Sequence, residues 1–389
     1  MNRERMLLAV LWAMGLALWA GYFLFGARGQ ASLSPGGVTA GTESDKAKTS
    51  SSISASVATS FAMIVTYHAP PREMELCGEA VPLHKQDVME RFDREFTIVV
   101  YNHAQVYLWL KRLERYGPWL DRQLASRGLP ADLKYVAVAE SDLMISAHSP
   151  AGAVGPWQFI AGTGCRYGLD QSPGIDERYD FEQATDSALR YLQDLYGQFQ
   201  SWTLAMAAYN CGEKRVDDEM RRQKAAGYYF LKLPNETERY VFRIMAIKEV
   251  LGHPEKYGYQ LPAGSGYKEI RLDAVTVQLP QALPVQMVAE AAGVSYREFK
   301  VMNPILVSDR IPEGTLTLKV PEGTGQSFSA RLEGIRAGHK PSLMQHKVTR
   351  GETLSGIAER YDVAVQQLRD WNDFKGDHVQ IGQDLKIYK

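Results

Sequence analysis

Residues 185–199, TDSALRYLQDLYGQF, place Leu189, Leu192, Leu195, Tyr196 and Phe199 on one face of a helix. The same three- and four-residue spacing runs through PLHKQDVMERFDREF (82–96) and AQVYLWLKRLERYGPWLDRQLASRG (104–128). Gly128 and Gly197 mark points where helices end or are interrupted, and Pro118 and Pro130 points where they begin. Alternating β-branched runs are scarce before residue 270. The expectation is an all-α domain over residues 70–262, long enough to bury a core of its own.

Within that domain, PADLKYVAVAESDL (130–143) carries one carboxylate that stands apart. Pro130 suits a first helical turn, and Asp132 suits the positive end of the helix dipole. Leu133, Val136, Ala137 and Met144 share a face with Glu140, so four apolar residues surround one glutamate where the helix should be buried. Glu140 also lies near the helix C-terminus. Burial and dipole both disfavour its ionised form, the condition for a carboxyl group that donates a proton near neutrality. A buried glutamate paired with arginine is the structural alternative. Asp142 projects away from Glu140 on this helix.

Next comes a glycine-punctuated loop, HSPAGAVGPWQFI (148–160), which presents Trp157 and Gln158 on close-approaching backbone, a combination suited to sugars. SWTLAMAAYN (201–210) then ends a helix at Tyr209 and Asn210, two polar groups at the lip of an apolar segment. Ala139-Glu140-Ser141, Ser149, Gly152-Ala153, Gly155-x-Trp157-Gln158-Phe159, Thr163-Gly164, Gly168-Leu169, Asp176-Glu-Arg178-x-Asp180, Ala207-Ala-Tyr209-Asn210-x-Gly212 and Leu233-Pro-x-Glu236-Thr-x-x-Tyr240-Val241 occur in this order. Over residues 75–262 the chain resembles the family 1 soluble-lytic-transglycosylase domain, of the membrane-bound lytic transglycosylase D type.

That resemblance implies a lysozyme-like α fold cleaving the MurNAc–GlcNAc β-1,4 bond of peptidoglycan. It also implies Glu140 as catalytic acid/base and Ser149, Gln158, Tyr209 and Asn210 as glycan-binding positions. Ser141 and Tyr240 match motif positions that line or support the cleft. Three positions depart from the family pattern. Pro156 stands where an apolar residue is usual, Ile160 replaces a common methionine, and Cys211 follows the Tyr-Asn pair. A lytic transglycosylase needs one carboxylate where ordinary glycosidases need two, because the substrate's own C6 hydroxyl takes the place of water. Asp170, Asp176 and Asp180 are the candidates for a second carboxylate, which would make a hydrolytic muramidase. The Asp176–Asp180 group reads instead as a helix start with ion pairs.

The C-terminal third changes character. HKVTRGETLSGIAERYDVAVQQLRDWNDFKGDHVQIGQDLKIYK (346–389) reads as strand, turn, two short helices and strand. Gly351-Glu-Thr353-Leu354, Trp371-Asn372 and Ile381-Gly382-Gln383-x-Leu385 resemble a LysM domain. The resemblance implies glycan contacts from Gly351, Thr353, Leu354 and Ile381, with a core role as the alternative for Leu354 and Ile381. Residues 268–323 repeat the order strand, helix, helix, Asn-Pro, strand but have Gln281-Ala-Leu283 in place of the Gly-Asp-Thr-like turn. They are expected to form a degenerate LysM-like module with weak or no sugar binding, followed by a linker over 324–345. The fold class is thus mainly α: a lysozyme-like catalytic domain followed by small βααβ LysM-type modules.

At the other end, Met6–Phe25 is a run of twenty residues without charge, long enough as a helix to span one hydrocarbon core, with Arg3 and Arg5 before it. Residues 1–30 therefore read as a membrane anchor or a cleaved signal peptide, and the Ser/Thr/Ala/Gly-rich residues 31–60 as a flexible tether. The expected location is the cell envelope: anchored in the inner membrane and facing the periplasm, or secreted to the periplasm if the segment is cleaved.

The 389 residues carry 44 Lys and Arg against 45 Asp and Glu, with no long basic run, so nucleic acid is not an expected partner. Three scattered cysteines supply no disulfide framework. Cys165 and Cys211 either pair or serve as small buried apolar residues. No HExxH or CxxC motif is present, and Gly162–Gly168 lacks phosphate-loop spacing, so neither a metal nor another cofactor is expected. The expected function is that of a monomeric peptidoglycan lytic transglycosylase acting on glycan strands. A hydrolytic muramidase and a non-catalytic peptidoglycan-binding protein are the alternatives.

Overall fold

The computed structural model describes residues 66–338, 343–361, 363, 365–374, 376 and 378–388. The expected anchor and tether, residues 1–60, lie outside the described residues. No helix among the described residues is long and apolar enough to cross a membrane.

A two-residue hairpin, β1 (Glu75–Leu76) with β2 (Glu79–Ala80), precedes the helices α1 (Gln86–Val100), α2 (His103–Ser126), α3 (Lys134–Ser141), α4 (Ala161–Arg166), α5 (Phe181–Phe199), α6 (Trp202–Cys211), α7 (Glu213–Gln223) and α8 (Asn235–Gly252). Helices α6 and α8 form the centre. Trp202 through Ala208 are all buried, and so are Val241, Phe242, Ile244, Met245, Ala246 and Ile247. A helix apolar on nearly every side must be packed on every side, and α1, α3 and α6 all pack against α8. From α1, Val88, Phe92, Phe96 and Val99 supply the stripe.

Two punctuation marks read differently in three dimensions. Pro118 lies inside α2 rather than at its start. Trp109, Leu120 and Leu124 are buried on both sides of it, and the Tyr116 and Trp119 rings pack on Phe181 at 4.5 and 5.2 Å. This packing offsets the lost hydrogen bond, a cost of about 3 kcal/mol. Helix α5 likewise continues through Gly197 to Phe199, because the Tyr196 ring stacks on Trp202 at 4.2 Å. Gly128 does follow a helix end, at φ +63°, beyond the last turn of α2.

After α8 come β3 (Leu272–Leu279), β4 (Leu283–Pro284), α9 (Val285–Ala292), α10 (Tyr296–Met302), β5 (Arg310–Ile311), β6 (Gly314–Pro321) and α11 (Gly325–Gly338). β3 pairs antiparallel with β6 from Leu272↔Pro321 to Leu279↔Gly314, and β4 pairs with β5. Helix α11 occupies most of the segment expected to be a linker. Phe328 and Leu332, four residues apart, are buried, and α11 packs on α9, which gives the helix a tertiary reason to exist.

The last unit is β7 (Leu343–Lys347), α12 (Leu354–Tyr361), α13 (Val365–Asn372) and β8 (Asp384–Tyr388), with β7 and β8 antiparallel. Its core of Val348, Leu354, Ile357, Ala358, Leu368, Leu385 and Ile387 is its own. Both small units are tied by the same device. Asn303 Nδ2 donates to Lys319 O at 2.8 Å while Lys319 N donates to Asn303 Oδ1 at 2.7 Å. Asn372 does the same with Lys386, at 2.8 and 2.7 Å.

Candidate active site

The helix bearing Glu140 is shorter than its periodicity predicts. It begins as a 3₁₀ turn (Ala131–Leu133) and stops at Ser141, because Asp142 and Leu143 both take φ +58°. The chain turn buries Leu143 and leaves Met144 41% exposed, so Met144 is not on the buried face beside Glu140. Asp142 faces elsewhere, accepting from Trp109 Nε1 at 2.7 Å.

Glu140 opens into a cleft of about 620 Å³ whose lining includes Ser149, Gln158, Tyr209, Asn210 and Tyr240. Five positions up to a hundred residues from Glu140 in sequence thus share one cleft with it. Tyr240 Oη donates to Glu140 Oε1 at 2.5 Å. Burial pushes the Glu140 carboxyl up to about 7, against the opposing pull of the Tyr240 hydroxyl and the Arg243 charge. Loss of hydration outweighs both, and the group is poised to hold or release a proton near neutral pH.

The remaining polar groups are fixed by the fold. Tyr209 Oη donates to Trp157 O at 2.8 Å, Thr237 Oγ1 donates to Asn210 Oδ1 at 2.8 Å, and Ser149 Oγ accepts from Ala153 N at 3.0 Å. Gln158 sits at φ +50° with its Nε2 on Gly155 O at 2.9 Å. Ser141 is buried beneath the cleft, where its hydroxyl donates to Pro156 O at 2.7 Å and so ties α3 to the loop. Trp157 presents no face to a sugar: it is fully buried, with Nε1 donating to Thr185 Oγ1 at 2.8 Å. Its size and single polar atom suit the core once Thr185 supplies the acceptor.

Two further carboxylates line the cleft, and neither is an aspartate of the 170–180 segment. Glu213 is paired with Arg166 at 2.7 Å and accepts from Tyr191 Oη at 2.9 Å. Glu236 is paired with Arg243 at 3.0 Å. Arg166, Glu213 and Arg243 carry no local sequence pattern that marks them as site residues. The spacing 236, 240, 243 along α8 was the available signal, since it places all three side chains on one helical face. Asp176 and Asp180 are structural: each caps a helix start, and each is ion-paired, Asp176 with Arg178 at 2.7 Å and Asp180 with Lys319 at 2.9 Å.

Several segments of the chain are similar to known proteins. The family model described as transglycosylase SLT domain matches residues 118–231, which contain Glu140 and the loop, and that described as LysM domain matches residues 346–387. Residues 118–231 and 346–387 are thus similar to an SLT domain and a LysM domain, and those names are used for the two segments below. The chain is homologous to membrane-bound lytic murein transglycosylase D of Escherichia coli K12, at 32% identity over 292 residues, 71% of this chain and 64% of that protein. It thus spans less than two-thirds of that relative's length. Peptidoglycan transglycosylase gp16 of Escherichia phage T7 is 30% identical over 250 residues, 63% of this chain and 16% of that protein. The 70 kDa soluble lytic transglycosylase of E. coli aligns with 46% of this chain and 32% of its own at 22% identity and TM-score 0.33. Tyr240, Glu236 and Arg243 lie beyond the SLT match, so α8 completes the SLT domain's cleft from outside the matched segment.

In the LysM domain, Gly351 is exposed at φ +89°, Thr353 is exposed with its hydroxyl accepting from Gly356 N at 3.1 Å, and Ile381 is 69% exposed. Leu354 is buried in the domain core. The cysteines are free thiols: Cys165 is exposed, while Cys77 and Cys211 are partly buried, so Cys165 and Cys211 do not pair.

Proposed function

We propose that the protein is a peptidoglycan lytic transglycosylase of the cell envelope. It cleaves the MurNAc–GlcNAc β-1,4 bond without water and leaves 1,6-anhydro-MurNAc ends. The observation that carries this reading is the contrast among the cleft carboxylates: Glu213 and Glu236 are each committed to an arginine, whereas the half-buried Glu140 has one tyrosine hydroxyl and is pushed up to about 7 by loss of hydration.

The protonated Glu140 donates to the glycosidic oxygen as the C1–O4 bond breaks. As carboxylate it then accepts the proton of the C6 hydroxyl while O6 bonds to C1, so the glutamate ends as it began and no water is consumed. The Tyr240 hydroxyl holds the carboxylate in place between the two transfers. Ser149, Gln158, Tyr209 and Asn210 bind the glycan beside it. The LysM domain, with Gly351, Thr353 and Ile381 at its surface and Leu354 beneath them, holds the glycan strand and raises its local concentration. Residues 6–25 place the enzyme at the inner membrane or export it to the periplasm.

Release of soluble muropeptides from purified peptidoglycan tests the assignment. The wild-type protein should release them, and Glu140→Gln should release none while still sedimenting with the wall. Release by Glu140→Gln at the wild-type rate would overturn the role of Glu140. Binding without release by the wild-type protein would make it a peptidoglycan-binding protein.

A further inference from the structure

The unit formed by β3, α9, α10 and β6 does not hang from the SLT domain; it grips it. Asp176 N donates to Ile305 O at 2.8 Å and Val307 N donates to Gly174 O at 3.0 Å, a short antiparallel bridge centred on Ile175 and Leu306. Ile175 is buried within the small unit's own apolar core, beside Leu306 and Phe299. Gly174 takes φ +86°, and a Cβ there would meet Ser308 Oγ at 3.1 Å, so the close approach suits glycine. Lys319, on β6, reaches Asp180 Oδ2 at 2.9 Å.

Both sides of this contact are stiff. On the small unit, Asn303 brackets Lys319, Lys300 Nζ donates to Leu306 O and to Ser308 O, and β4 pairs with β5. On the SLT side, Asp176 takes two hydrogen bonds from the Arg178 guanidinium, at 2.9 and 2.7 Å, and a third from its backbone N–H at 3.1 Å. The same guanidinium donates to Phe159 O at 3.0 Å and Gly152 O at 3.2 Å, and these carbonyls belong to the loop that carries Ser149 and Gln158 into the cleft. Gly155 of that loop lies against the Arg178 carbonyl, where a Cβ would sit 1.9 Å from the oxygen. Arg178 is 9% exposed, so its bonds are sheltered from competing water.

We infer that the 272–321 unit is a brace for the glycan-binding loop: Ile305, Val307 and Lys319 fix the 174–180 segment, and Arg178 transmits that position to residues 148–160. Arg178 and Lys319 are positioning residues, since neither lines the cleft. The kinetic part of this inference rests on the transglycosylase reading above. The conformational part does not.

The test uses the full chain with Lys319→Glu, which sets a carboxylate against Asp180, and with Lys319→Arg as the conservative control. Backbone hydrogen exchange reads docking at Asp176 and Val307, and the loop at Ala153, Val154 and Gln158. In Lys319→Glu both groups of amides should exchange about tenfold faster. The KM for peptidoglycan should rise roughly fivefold with kcat within about twofold, and Lys319→Arg should match wild type. Faster exchange at Asp176 and Val307 with unchanged loop amides and KM would overturn the brace. If the docking amides stay protected in Lys319→Glu, Ile175→Asp puts a carboxylate into the small unit's core and is read by the same two criteria. Should the wild-type protein not turn over peptidoglycan, the exchange result still decides the brace by itself.

Discussion

Glu95 and Glu140 are both glutamates set into the same helical domain, and their surroundings are opposite. Glu95, on α1, is 1% exposed and meets three arginines: Arg94, Arg239 at 2.7 Å and Arg243 at 3.9 Å. Glu140 meets one tyrosine hydroxyl at 2.5 Å and open cleft. Arg243 stands between the two, paired with Glu236 and close enough to Glu140 to oppose part of its burial. Removing water from a carboxylate costs free energy in either place. At Glu95 three arginines offset that cost; at Glu140 no cation pairs with the carboxyl, and burial pushes it up to about 7.

The largest break in this comparison is Glu140→Gln. It should lower kcat by roughly a thousandfold, measured by muropeptide release, while sedimentation with the wall is retained. Its effect on stability has a sign that depends on pH. The wild-type carboxyl is raised from 4.5 to about 7, so the native state binds that proton more tightly than the unfolded chain does. The stabilisation is fully present below about 4.5 and is lost as pH rises through about 7. Glu140→Gln should therefore gain roughly 1–3 kcal/mol relative to wild type between pH 4 and 8, seen as a difference in denaturation midpoint.

Glu95→Ala should do the reverse. It leaves the arginine cluster uncompensated and should cost about 3 kcal/mol in chemical denaturation, with kcat of the folded protein within about threefold of wild type. An equal loss of activity in both variants would erase the distinction. Tyr240→Phe should lower kcat about tenfold and move the alkaline limb of the pH–rate profile upward, since the lost hydrogen bond favoured the ionised carboxyl. In wild type that limb should fall tenfold per pH unit above about 7. The smallest effect expected is that of Ile381→Ser in the LysM domain, a few-fold weaker sedimentation with the wall and unchanged kcat on soluble glycan fragments.

Glu140 was legible because one polar residue on an apolar helical face is a local pattern. Its partner was legible only as a matched motif position, since Tyr240 is a hundred residues away. The same distinction explains the errors. Met144 follows the helical period, but two left-handed residues end the helix before it. Trp157 resembles a sugar platform in sequence, but Thr185 gives its indole an acceptor inside the core. Pro118 and Gly197 are local helix breakers overruled by the aromatic packing of Phe181 and Trp202. The 324–345 segment looks like a linker by composition, yet Phe328 and Leu332 fall four apart and find a surface in α9. The pairing of Asp176 and Asp180 with Arg178 and Lys319 was half visible: Arg178 is two residues away, and Lys319 is 139 away.

The most direct test of the account is the mass of the new glycan ends that the purified protein makes from peptidoglycan. Fragments ending in 1,6-anhydro-MurNAc, absent with Glu140→Gln, are the result expected of a single carboxyl group serving in turn as acid and base. Reducing ends, one water heavier, would contradict it and assign the second carboxylate's role to Glu213 or Glu236.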